Sequence, residues 1–239
     1  MHSYFKEVQN LLHDSIESEH PKLEMAARMI ADRIERGGIL QLFGCGHSHL
    51  LAQEAFYRAG GLVPVRPITI EPLTLQAGAL TSSSNEKDPT IIERHRNSFD
   101  FHENDIFLVI STSGRNCAPI DAALLAKSSN ILLLSLQSLN YVEQASKHKS
   151  GKRLEEIVDI VIDSHIPVGD GILNHEGFQY APASTVIGSA LLNGLLSLVM
   201  EKVFEKTGIF PVFESANVAA TKTQNANMIS MYKQRINFD

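Results

Sequence analysis

Two short stretches of this 239-residue chain carry residue types whose order suits anion chemistry. The first is Gly44-Cys45-Gly46-His47-Ser48-His49. Its glycines let the backbone turn sharply and let a ligand come close to it. Ser48 places a hydroxyl at the start of a helix-forming run, where unpaired N–H groups favour an anion. The second is Ser111-Thr112-Ser113-Gly114-Arg115-Asn116. Three hydroxyl residues followed by glycine form strands and helices poorly but present O–H and N–H donors well in a concave loop. Asn116 is an N-cap candidate, and Pro119 falls where a first-turn proline is tolerated, so the next helix aims its positive end at this loop. The chemistry such loops serve is the holding of a phosphate dianion; a plain Ser/Thr helix cap is the other reading of the second loop taken alone.

Neither stretch is a nucleotide fingerprint. The third glycine of G-x-G-x-x-G is replaced by His49, no acid follows at roughly twenty residues, and no G-K-[ST] occurs. A nucleotide-binding Rossmann module is therefore only a minor rival.

The elements that must position these loops are legible as a change of period. Phe5, Val8, Leu11, Leu12 and Ile16 fall at helical spacing, His20-Pro21 breaks the run, and a second helix with Leu23, Ala27, Ile30 and Ile34 ends at Gly37-Gly38. Short apolar runs then alternate with helical stretches: strands at 39–43, 62–70, 105–110, 131–135 and 157–162, and helices at 49–59, 91–96 and 118–127. A long apolar helix over 184–206 and a last helix over 216–235 close the chain. Strands that are apolar on both faces and separated by helices predict a parallel sheet covered on both sides, with ligands beyond the carboxyl ends of its strands. The reading is one domain, with residues 1–37 as a helical preamble and 183–235 as C-terminal helices.

Composition narrows the partners. Lys plus Arg total 21 against 27 Asp plus Glu, a net charge of −6, which lacks the footprint of a nucleic-acid binder or a polybasic membrane patch. The greasiest segment, 186–200, is interrupted by Gly188, Ser189, Asn193, Gly194 and Ser197 and reads as too short and polar to span a bilayer. Two cysteines, Cys45 and Cys117, fit a reducing compartment and form no zinc pattern. No basic stretch leads into an apolar core at the N-terminus, so the expectation is a cytoplasmic protein with no secretory signal and no cofactor or metal.

Taken together, Gly44-x-Gly46-x-Ser48 and Ser111-Thr112-Ser113-Gly114 make the chain resemble the sugar isomerase (SIS) domain family. Within it, Ser113-Gly114-Arg115-Asn116 and Ala183-Ser184-Thr185 are similar to the S-G-R-T and G-S-T of N-acetylmuramic acid 6-phosphate etherases and their glucokinase-regulator relatives. Phosphoheptose isomerases share the Ser111–Gly114 loop, and uncharacterised bacterial SIS proteins are equally close in pattern.

The resemblance implies an α/β three-layer sandwich of SIS-type, flavodoxin-like form, with a mostly parallel sheet, an N-terminal helical pair and long C-terminal helices. It implies a sugar-phosphate ligand held by Gly46, His47, Ser48, Ser111, Thr112, Ser113, Asn116 and Ser184. Lys222 would reach a neighbouring site in a homodimer or dimer of dimers. Isomerisation and ether elimination both begin with removal of a proton next to a carbonyl. The candidate bases are Glu54, Glu86, Glu176 and His175; some phosphoheptose isomerases bind zinc through a histidine where this chain has Glu54. The alternative is a non-catalytic phosphosugar sensor that regulates a partner protein.

Overall fold

The computed structural model describes residues 3–215, 217 and 222–238. In chain order the elements are α1 (Ser3–Glu35), β1 (Leu40–Gly44), α2 (His47–Glu54), β2 (Val65–Pro67), α3 (Ala79–Asn85), α4 (Ile91–Arg94), β3 (Ile106–Ile110), α5 (Cys117–Lys127), β4 (Leu132–Gln137), β5 (Ile160–Asp163), β6 (Gly171–His175), β7 (Phe178–Pro182), α6 (Ser184–Thr207) and α7 (Lys222–Tyr232). Strands β1 to β5 form one parallel sheet in the order β2-β1-β3-β4-β5.

The strands are apolar on both faces because both faces are covered. Leu40, Leu42, Ile106, Leu108, Ile110, Leu134 and Leu136 face a core shared with α1, α2 and α6. Phe43, Phe107, Val109 and Leu133 face the other core, under α4 and α5. The result is the expected three-layer α/β sandwich. Its strand order reverses direction between β1 and β3, and that switch point is where open α/β sheets leave a crevice for ligands.

Three expectations need correction. The N-terminal helical pair is one helix of 33 residues with Pro21 inside it. Proline removes one intrahelical hydrogen bond and crowds the preceding turn, but packing on both sides of it holds the helix. Before Pro21, Ser15 Oγ donates to Ser164 O and the buried Glu19 accepts from Asp163 N at 3.0 Å. After it, Leu23, Ala26, Ala27, Ile30, Ala31 and Ile34 enter the core.

Second, the sheet is not the last β structure. Segment 171–182 folds into an antiparallel hairpin whose two-residue turn, Glu176-Gly177, has φ of 50° and 87°. Positive φ at both central residues is the type I′ signature that matches strand twist. Third, α6 runs to Thr207 and is long and apolar enough to cross a membrane by length and composition. Ile187, Leu191, Leu195, Val199 and Val203 are instead buried in the core beside α1.

Candidate functional site

A small cleft of about 40 Å³ opens at the carboxyl ends of the central strands. His47 and Ser48 after β1, Thr112 after β3, Gln137 at the end of β4, Ser164 after β5, and Ser184 and Thr185 in the first turn of α6 line it, over an apolar floor of Leu51, Ile110 and Leu136.

The loop 111–116 beside it is built to bind an anion. Its carbonyls are pulled away one after another: Thr112 O accepts from Ser138 N at 2.9 Å, Ser113 O from Arg153 Nη2 at 2.7 Å, Gly114 O from Leu154 N at 2.9 Å and Arg115 O from Lys147 N at 2.8 Å. Across a trans peptide the N–H points opposite to the carbonyl before it. The N–H groups of Ser113, Arg115 and Asn116 are thereby turned to the other side, and none of them meets an acceptor among the described residues. Gly114, at φ +61°, makes the bend. Successive N–H groups around such a bend form an anion-binding concavity.

Asn116 stands at the N-cap of α5 but does not cap it with its side chain. Its Nδ2 donates instead to Glu86 Oε1 at 2.9 Å. In the first turn of α5, Ala118 N donates to Glu86 O at 3.0 Å and Pro119 has no N–H, so the helix end is partly engaged while its dipole still adds to the field of the loop. The hydroxyls of Ser48, Thr112 and Ser113 make no hydrogen bond among the described residues. At α6 the opposite holds. Asp170 Oδ1 accepts from Ala183 N and Ser184 N, and Ser184 Oγ donates to Asp170 Oδ2 at 2.8 Å. This end already has its anion, so Ser184 lines the cleft with a hydroxyl that is in use. The N-terminus of α2 also has no side-chain cap, so α2 and α5 both begin near the cleft without a side-chain anion of their own.

Arg153 is the outer clasp of the loop. It is buried, and besides Ser113 O its guanidinium reaches Gln144 O and Glu155 Oε1, both at 2.5 Å. Arg153→Met keeps the apolar stem and leaves Glu155 Oε1 and two carbonyls without their donor. Breaking one side of a largely buried pair costs about 3 kcal/mol. A thermal melt of this variant is expected about 6–12 °C below wild type.

The first loop divides its histidines. Because 47–49 is the start of α2 rather than extended chain, His47 and His49 do not face the same way. His47 lines the cleft, and His49 is buried with Nε2 at 3.4 Å from Thr69 Oγ1. Burial lowers the His49 imidazole below its ordinary value of 6.5. The unfolded chain therefore binds this proton more readily than the folded one. Stability is complete above about pH 6.5 and falls as pH drops from there toward the folded-state pKa. In His49→Gln, the slope of melting temperature between pH 7 and pH 5 is expected to be shallower than in wild type. Gly46, at φ +54°, makes the turn into α2. Cys45 is buried, and burial followed by the charge of Glu86 raises its thiol well above the ordinary range, so it serves as packing and not as a nucleophile.

The candidate bases separate. Glu54 sits six residues beyond Ser48, about 9 Å along the helix axis, paired with Arg58 and accepting from Asn193 Nδ2 at 3.1 Å. It joins α2 to α6 and does not line the cleft. His175 and Glu176 are exposed at the tip of the hairpin and do not line it either. Glu86 lies between the two loops. It is hydrogen-bonded to Asn116 on one side and acts on Cys45 electrostatically on the other, and its carbonyl accepts from Ala118 N at 3.0 Å. Lys222 opens α7, and its side chain lies outside the described residues. Among the described residues no group of three or more His, Cys, Asp or Glu could hold a metal ion.

Gln137, Ser164, Asp170 and Arg153 carry no mark in the local sequence motifs, whereas Thr185 belongs to the Ala183-Ser184-Thr185 motif. The first two follow directly from the rule that ligands sit at strand carboxyl ends, because they end β4 and follow β5. Nothing in the local sequence marks Asp170 or Arg153, whose partners are distant in the chain.

The family model of the SIS domain matches residues 3–138. A UPF0309 protein encoded in the nagA 3' region of Lysinibacillus sphaericus is 45% identical over 238 residues, covering 100% of this chain and 98% of the relative. A UPF0309 protein of Halalkalibacterium halodurans is 41% identical, covering 98% of this chain and 95% of the relative. Among solved structures, the fold is similar to a phosphoheptose isomerase from Neisseria gonorrhoeae, with TM-score 0.56 and 13% identity over 82% of this chain and 95% of that one. It is also similar to a phosphoheptose isomerase from Francisella tularensis, with TM-score 0.52 and 17% identity over 85% and 96%. With the hydroxyl loop, the switch-point cleft and a family match over residues 3–138, the chain belongs to the SIS domain family.

Proposed function

We propose that the cleft binds a sugar phosphate and that the protein is an isomerase or lyase acting by proton removal next to the substrate carbonyl. The observation that carries the reading is the loop 112–116, with its carbonyls tied outward and the N–H groups of Ser113, Arg115 and Asn116 without an acceptor among the described residues, beside the N-terminus of α5. A phosphate dianion there takes up the free N–H and hydroxyl donors, and the sugar extends over His47, Ser48 and Gln137.

Three carboxylates stand directly behind this surface. Asp170 is fully engaged by Ser184 and Ala183, and Glu155 by Arg153 and Gln137. Glu86 alone of the three keeps one oxygen, Oε2, without a hydrogen bond among the described residues. It is the carboxylate available to accept a proton.

One observation favours a second reading. Among the described residues no carboxylate lines the cleft itself, which suits a sensor that binds a phosphosugar and leaves it unchanged. Incubation of the protein with aldose and ketose phosphates in D₂O separates the two. Exchange at C2 of one of them is expected; saturable binding with no exchange and no product from any of them establishes the sensor.

A second copy of the chain is proposed to cover the hairpin. An isolated two-stranded ribbon is marginal in water, and this one presents Phe178 at 76% and Tyr180 at 50% exposure. Sedimentation is expected to show a dimer or larger for wild type and a shift toward monomer for Phe178→Ser.

A further inference from the structure

The inner end of the cleft has no polar group to spare. Leu51, Ile110, Leu136 and Gly188 form it, and all four are buried. Ser164 is buried there too, with its Oγ donating to Gln137 O at 3.1 Å. Gln137 shows the cleft its backbone alone. Side chains alternate along a strand, so Gln137 lies with Leu133 on the far face of β4, where Nε2 donates to Glu155 Oε2 at 2.9 Å. Its carbonyl also accepts from Ser164 N at 2.8 Å. Ser48, Thr112 and Thr185, whose hydroxyls make no hydrogen bond among the described residues, are half-buried or exposed and stand nearer the mouth.

Size points the same way. A space of about 40 Å³ admits roughly three water-sized groups. That is far fewer than a sugar phosphate contains, so the ring and its phosphate stay at the mouth and only a substituent enters. Ile110 is two residues before Thr112, at most about 7 Å along the chain, which puts the floor within reach of a ligand held by its phosphate on the anion loop. A hydroxyl or ammonium pushed into this end gives up water and finds no free partner, which is costly. A methyl group has no hydrogen bond to lose and exchanges water for contact with three apolar side chains. Gly188 keeps the space open: a Cβ there would come within 2.8 Å of Leu51 Cδ2 and 3.8 Å of Leu136 Cδ2.

We propose that this inner end is a methyl-binding subsite, so that the cleft selects a sugar phosphate carrying a small alkyl terminus, either the acyl methyl of an acylamino sugar or the ring methyl of a 6-deoxy sugar. The inference rests on the phosphosugar reading above and adds what distinguishes the accepted sugar from other sugar phosphates. One more methylene-sized group in a hydrophobic pocket is worth about 10–200-fold in discrimination.

The test uses calorimetry on the full chain with inorganic phosphate and two matched series. One series runs through amino, formylamino, acetylamino and butyrylamino hexose 6-phosphates; the other sets hexose 1-phosphates against their 6-deoxy counterparts. In one of the two series the ligand bearing the methyl is expected to bind about tenfold tighter, or more, than the partner lacking it, and that series names the source of the methyl. In the acylamino series the butyryl ligand is expected to lose the gain, because it overfills the space. In Gly188→Ala the affinity ratio with and without the methyl is expected to fall to about one. Ile110→Val, a milder change that widens the floor by one methylene, is expected to raise affinity for the next longer alkyl terminus, and it keeps the test open where the glycine variant folds poorly. Equal affinities with and without the methyl in both series overturn the subsite while leaving the anion loop intact. A gain that survives undiminished in a folded Gly188→Ala overturns its placement on this floor. Failure of wild type to bind phosphate or any phosphosugar removes the anion loop as the site, and the subsite with it.

Discussion

Ser113→Asp is expected to abolish sugar-phosphate binding while leaving the fold intact. The side chain is partly exposed, and its hydroxyl makes no hydrogen bond among the described residues, so replacement breaks nothing in the folded chain. The carbonyl of Ser113 remains clasped by Arg153 and the loop keeps its course. The new carboxylate, however, stands among the N–H groups that the phosphate requires. Like charges about 4 Å apart repel by about 4 kcal/mol at the effective dielectric of a protein surface, and a dianion carries that cost nearly twice. A loss of affinity on the order of a thousandfold or more follows, read by calorimetry, with a melting temperature within a few degrees of wild type. Ser113→Ala removes one hydroxyl and no N–H, and is expected to weaken binding by about tenfold. Undiminished binding in the aspartate variant places the phosphate elsewhere.

The two loops and the sheet behind them were legible because they depend on local rules. Leu42, Phe43, Leu108 and Val109 are apolar on consecutive positions, and only a strand covered on both faces needs that pattern. Ser111 to Gly114 resist both helix and strand, and so mark a loop. Pro21 misled for the same local reason. It ends most helices, and here tertiary anchoring through Glu19 and Ser15 overrides it. The hairpin was missed because Glu176-Gly177 is not one of the commonest turn pairs, and without it His175 and Glu176 read as a loop near the site.

What sequence could not give is the direction of each peptide group. The anion loop works because Ser138, Lys147, Arg153 and Leu154, up to 40 residues away, hold its carbonyls outward. No spacing within 111–116 encodes that. The same holds for the acids. Glu54 and Glu86 are equally plausible as letters, and only the contacts show Glu54 joined to Arg58 and Asn193 and Glu86 set between the two loops.

That placement makes Glu86→Gln the most informative change at the centre. Glutamine keeps an oxygen that can accept from Asn116 Nδ2, so the hydrogen bond to the second loop survives. It replaces the unpaired Oε2, the atom required to take a proton, with an amide nitrogen that has no basicity. A positioned general base contributes roughly 10²–10⁴ in rate. C2 exchange or product formation in this variant is therefore expected to fall by about that factor, while the dissociation constant for the sugar phosphate stays within about threefold. Glu54→Gln, which alters the Arg58 ion pair and the contact between α2 and α6, is expected to leave turnover near wild type. If the two variants exchange places, with Glu54→Gln silent in binding but inactive, the proton is taken from the α2 side of the cleft and Glu86 only braces the loop. If both fall together in binding, the acids serve the fold of the site and the base is a different group, with His47 the titratable side chain that lines it.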